Sequence, residues 1–119
     1  MTSELEAHEK FIQARLRGQK AEALTWLESA DGRNTLGEVS NEESVRLVNE
    51  IYASGADEVI AVEIDDYDDC QNTGKLVIKL PVDPEARERV FAWHAKQAES
   101  MGFDGEPDIG QTHLFSMLD

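Results

Sequence analysis

Two hydrophobic periods alternate along this chain. In the first segment Leu5, Ile12, Leu16, Ala23 and Leu27 fall in one narrow sector of a helix, widened by Phe11 and Leu24. Ser3 and Glu6 have capping-box spacing, and Glu6 and Lys10 form a favourable i,i+4 pair. Gly18 interrupts the stripe at a cost of about 1 kcal/mol relative to Ala. The segment therefore reads as a kinked helix or a helix pair, closed by Gly32. Ser40 with Glu43 opens a second helix through Val45, Val48, Ile51 and Tyr52, which Gly55 ends. Asp83 as N-cap, Pro84 at the first position and Glu85 at the positive dipole end open a third. Its expected buried stripe is Val90, Phe91, Ala95, Ala98 and Met101, with Gly102 as the stop.

Between the second and third helices the period changes from 3.6 to 2. In "EVIAVEID", Ile60, Val62 and Ile64 share one face, and Val59, Ala61 and Glu63 the other. "GKLVIKLP" repeats the pattern, with Leu76, Ile78 and Leu80 inward, Lys75, Val77 and Lys79 outward, and Pro81 as terminator. Matching the inward faces puts Ile60 opposite Leu80 and Ile64 opposite Leu76 in an antiparallel hairpin. Residues 66–74 then form its loop. "NTLGEV" is a short first strand and "QTHLFSML" a last one.

Residues 33–119 thus run strand, helix, strand, strand, helix, strand. That order predicts an α+β fold, a ferredoxin-like βαββαβ sandwich with an antiparallel sheet and two helices on one face. One domain is expected over 1–119, with an N-terminal helical extension over 1–32 ahead of the sandwich at 33–119. Such a sandwich leaves one sheet face to find cover. Val59, Ala61 and Val77 are the expected outward apolar residues, and Trp93 sits at the edge of the last helix's stripe. These four are the candidate interaction residues. Either the N-terminal helix or a second copy would cover the face.

Charge narrows the partners. The 119 residues carry 25 acids and 11 Lys or Arg, for a net charge of −14. Residues 47–74 hold eight acids, and residues 97–119 five, with no Lys or Arg in either stretch. Phosphate backbones and anionic lipid surfaces are repelled by such a surface, so neither nucleic acid nor a membrane is expected as partner. A cationic protein partner or self-association is compatible with it, and so is plain solubility. The single cysteine cannot form an intramolecular disulfide, and the polar opening "MTSELEAHEK" lacks a signal-like apolar core. A cytoplasmic setting is the expectation.

Candidate chemistry is sparse. Asp66, Asp68 and Asp69 offer oxygens for a hard cation, but no register from Asp65 or Asp66 puts Gly at the sixth and Glu at the twelfth position of a calcium loop. A solvated hairpin tip is the plainer reading. Cys70 lies among carboxylates, which disfavour a thiolate. No pair among His8, His94 and His113 has a zinc-ligand spacing such as H-x-x-x-H, and "GFDGEPDIG" combines glycines with acids that repel phosphate. No pattern points to a cofactor. A non-catalytic protein-interaction or regulatory module is therefore the first expectation. A small hydrolase or ligand-binding enzyme using His94 or His113 with a carboxylate is the second, and an acidic decoy for a basic partner is the third.

Overall fold

The structure, a computed structural model, describes residues 3–118. Each expected helix start is capped as its sequence requires. Ser3 accepts the Glu6 N–H at 3.1 Å and opens α1 (Glu4–Leu16). Ser40 accepts the Glu43 N–H at 3.1 Å and opens α3 (Asn41–Ser54), and Asp83 accepts the Ala86 N–H at 2.9 Å and opens α4 (Pro84–Ser100). Gly55 closes α3 at φ 122°, where a Cβ would also stand 2.8 Å from the Ala86 Cβ, so only glycine fits.

The chain breaks at Gly18, and the break holds more than a kink. Residues Lys20–Glu22 form a strand, β1, before the short helix α2 (Ala23–Glu28). Glu22 caps that helix, accepting from Leu24 and Thr25 N–H. β1 then pairs antiparallel with β3 (Glu58–Val62), so part of the expected helical extension belongs to the sheet.

The fold is α+β, with a four-stranded antiparallel sheet and helices on both faces. Its order is β1, β3, β6 (Lys75–Lys79) and β7 (His113–Met117). The sheet strands lie side by side in chain order, and every pair is antiparallel. Two βαβ crossovers would have put parallel strands into this sheet, so the strand order does not reproduce the ferredoxin-like sandwich. The expected first strand is diverted. Thr35–Leu36, β2, pairs in parallel with β5 (Gln71–Thr73) in a separate small sheet whose other edge is β4 (Asp65–Asp66).

The hairpin exists, but in another register. Ile60 faces Val77, not Leu80, and Ala61 faces Leu76. An odd slide exchanges the faces of a strand. Val59 and Ala61 are thereby turned inward, sharing a fully buried core with Leu76, Ile78, Leu27, Val48, Ile51 and Val90. Ile60 and Val62 share the opposite face with Val77, under Ile12 and Leu16 of α1. The sheet's outer face is thus covered by α1, while Leu27 sits across the sheet from Ile12.

The same offset continues past a break: Asp65 faces Asn72 and Asp66 faces Gln71. The hairpin is therefore one long ribbon with its turn at residues 67–70, where Tyr67 N–H reaches the Cys70 carbonyl at 2.9 Å. The ribbon bends at Glu63, whose φ is 49°. Its carboxylate takes Arg15 Nε at 3.0 Å and Lys75 Nζ at 2.6 Å, tying α1 and β6 to the bend. Thr73 Oγ1 donates to the Val62 carbonyl at 2.6 Å, filling the interrupted ladder.

Candidate functional site: the clasp at Glu106 and the free edge of β7

Residues 101–112 join α4 to β7 and hold a polar group, Glu106, that ties three elements together. A Cβ at Gly105 would stand 2.9 Å from the Ala95 Cα, so the loop can lie against α4 only through that glycine. The next residue, Glu106, then meets three elements. Its N–H donates to His94 Nε2 on α4 at 3.0 Å. One carboxylate oxygen pairs with His8 Nε2 on α1, and the other accepts the Phe115 N–H on β7 at 2.8 Å.

Two further pins keep the loop in place. Arg87 grips Asp108 through two bonds, at 2.9 and 2.7 Å, and Gly110 N–H donates to the same carboxylate at 2.9 Å. These bonds hold Asp108 down at about 2. Buried Gln111 closes the turn, accepting from Ile109 N–H at 2.9 Å and donating to the Pro107 carbonyl at 3.0 Å.

His94 is 4% exposed. Desolvation lowers its pKa, opposed by the nearby Glu106 charge. Since Nε2 accepts a backbone N–H, the neutral ring carries its proton on Nδ1. Both the Nδ1 of His94 and that of His8 are buried with no partner among the described residues. Each ring thus spends one nitrogen on the clasp and has the other shut away from solvent.

The three histidines do not assemble. His94 packs between α4 and the sheet, whereas His113 lies on the α1 side, beside Phe115 in the alternation of β7. His113 Nδ1 meets Thr112 Oγ1 at 2.7 Å, and Glu9 reaches the same hydroxyl at 3.4 Å. A triad of the hydroxyl–imidazole–carboxylate kind needs the acid on the far ring nitrogen; here it touches the hydroxyl instead. Burial lowers the His113 pKa as well, with Glu9 opposing it.

The other sequence candidates fall elsewhere. Asp66, Asp68 and Asp69 are exposed on the ribbon tip, with Gln71 Nε2 donating to Asp66 at 2.6 Å. Among the described residues no three His, Cys, Asp or Glu side chains come together to hold a metal ion. Cys70 lines an open hollow with Tyr67, Thr35 and Asn72. Val59, Ala61 and Val77 are 0% exposed and offer no surface, and Trp93 is half-buried against the helical core. No described helix is long and apolar enough to cross a membrane.

Sequence reasoning missed Glu106 and the edge beside it. β7 is, with β1, one of the two edge strands of the main sheet. A groove of about 210 Å³ runs along it, floored by His94 and Ala98, walled by Phe103 and Met117, and rimmed by Asp104 and Glu106. Phe103 is 58% and Met117 41% exposed. The available signal was the absence of Lys and Arg after residue 96 together with an uncharged last strand. Comparison of the chain with protein-family models, curated proteins and solved structures finds no match in any of the three.

Proposed function

We propose that this chain is a non-catalytic interaction module whose partner is a cationic protein. The observation that carries the proposal is the sealing of His8 and His94. Acid-base work needs a ring nitrogen within reach of a substrate, and the clasp uses or buries all four nitrogens of these rings. That polar cluster is therefore spent on tying α1, α4 and β7 together.

Charge supplies the partner's sign. A net charge of −14 draws cations from a distance and slows the approach of other anions. Exposed acids stand on α1 (Glu4, Glu6), α3 (Glu42, Glu43) and α4 (Glu85, Glu88), on both sides of the sheet, as well as at the ribbon tip. That scatter favours a local site within an attractive field over a decoy surface with carboxylates in rows.

The test is a titration of the chain with lysine-rich and aspartate-rich oligopeptides of equal length, at low and at high salt. Selective binding of the cationic set, weakening as salt rises, is expected. Equal affinity for both sets, or none for either at low salt, would remove the proposal. Esterase or peptidase turnover that His94→Gln abolishes would replace it with the hydrolase reading.

A further inference from the structure

We infer that the free edge of β7 is a strand-addition site for an extended basic segment of the partner. The inference rests on the reading of the chain as a module for a cationic protein, and adds where and how that protein docks.

Edge strands invite pairing, and proteins blunt them with charge or brevity. Here β1 has three residues and carries Lys20 and Glu22, β4 is the pair Asp65–Asp66, and β2 has two residues. β7 has five residues, His113 to Met117, and none is Asp, Glu, Lys or Arg. It is the long, uncharged edge of the molecule's larger sheet.

Its backbone is ready for a neighbour. Leu118 N–H bonds to the Gly74 carbonyl and Leu80 N–H to the Thr112 carbonyl, so the even-numbered residues face β6. By the alternation of an antiparallel ladder, the odd-numbered residues turn their N–H and C=O outward. Phe115 N–H confirms this, since it meets Glu106 and not β6. Among the described residues, nothing takes the Phe115 carbonyl or the Met117 N–H. The Glu106 carboxylate stands where an incoming strand's carbonyl would stand, one residue along.

Side-chain alternation states the sequence that fits. The residue placed opposite Ser116 would point to the helical side, into the groove floored by His94 and Ala98 and walled by Phe103. Small Ser116 leaves that space open. At about 210 Å³ the groove holds one aliphatic side chain and is smaller than the ~300–1,000 Å³ of a drug-sized ligand site. Asp104 and Glu106 at the rim favour Lys or Arg in the flanking positions. The fitting segment alternates basic and aliphatic residues. A second copy of β7 lacks that basic pattern and brings a further charge of −14.

The experiment uses the whole chain and a nine-residue peptide alternating lysine with leucine, with an N-methylated version as control. Met117→Pro removes one outward N–H and no ladder bond, a substitution edge strands tolerate. Binding of the unmethylated peptide, weakened about tenfold by Met117→Pro and by Asp104→Lys, is the expected result. Hydrogen exchange supplies a readout that needs no variant: the Met117 amide should slow when peptide is added to the unaltered chain. Unchanged Met117 exchange at saturating peptide overturns the inference, as does equal binding of the N-methylated peptide. If cationic peptide still binds in either case, the module reading survives and only the edge is wrong. If no cationic peptide binds at low salt, both fall. A peptide-free dimer that Met117→Pro dissolves would name a second copy as occupant and overturn the basic segment.

Discussion

The N–H of Glu106 donates to Nε2 of His94 across 3.0 Å, so one backbone amide fixes the tautomer of a buried neutral ring. A protonated His94 would carry hydrogen on both nitrogens and face that amide donor to donor. It would also strand a charge at a site only 4% exposed.

Stability should therefore fall in mild acid. Burial depresses the folded-state pKa of His94 below the unfolded value of about 6.5. Above 6.5 both states are neutral and the group costs nothing. Below it the unfolded chain takes up a proton that the folded chain refuses, and stability drops as pH falls toward the folded value. His113 contributes in the same direction. Thermal melts between pH 7.5 and about 5 should show a falling Tm, and His94→Gln should flatten part of the slope. Asp108, held at about 2 by Arg87, loses its contribution only in much stronger acid, so the two effects occupy separate windows. A melt independent of pH over that range would count against the clasp.

Removing the clasp's acid should cost more than neutralising it. Glu106→Ala leaves Phe115 N–H and His8 without partners, at roughly 1–3 kcal/mol for an orphaned, mostly buried group. Glu106→Gln keeps an acceptor for Phe115 N–H and should lose about 1 kcal/mol or less. Urea unfolding of the two variants gives the ranking; equal losses would mean that the charge alone matters.

The ribbon's bend offers a backbone test. Glu63 is held at φ 49° by ion pairs to Arg15 and Lys75. Glu63→Ala loses both pairs and keeps the left-handed strain, whereas Glu63→Gly loses the pairs and relieves it. Glycine should be the more stable of the two by about 1 kcal/mol. Equal stabilities would mean that the bend relaxes when its ion pairs go.

Packing beneath α1 separates two leucine-like positions that share one sequence stripe. Ile12 is 0% exposed over Val62 and Val77, while Leu5 is 42% exposed. Ile12→Ala should cost about 2–5 kcal/mol, and Leu5→Ala within about 0.5 kcal/mol. Denaturant melts of both distinguish a covering helix from a loosely attached one.

What could be read in advance follows how local each signal is. Ser3, Ser40 and Asp83 satisfy amides three residues away, and Gly55 supplies a backbone angle at its own position; all four act as expected. The pairing of the two central strands was legible too, because each is a short, strongly apolar run of strand length. Their register was not. Val59, Ile60, Ala61 and Val62 are all apolar, so either face can be called the inner one, and hydrophobicity cannot choose when both faces are covered. Gly18 announced a break, but nothing nearby told that Lys20–Glu22 would leave the helix and pair with residues forty positions ahead.

Glu106 shows the same divide at the site. As one acid among 25, it differs from the others only through His8, 98 residues earlier in the chain, and through His94 and Phe115. The sequence by itself determined where α1, α3 and α4 start, where α3 stops and that the two central strands extend, because capping and periodicity are short-range properties. Tertiary structure alone decided which strand stands at the sheet's edge, which face α1 covers and which carboxylate becomes a hub, because each depends on groups that meet only when distant parts of the chain come together.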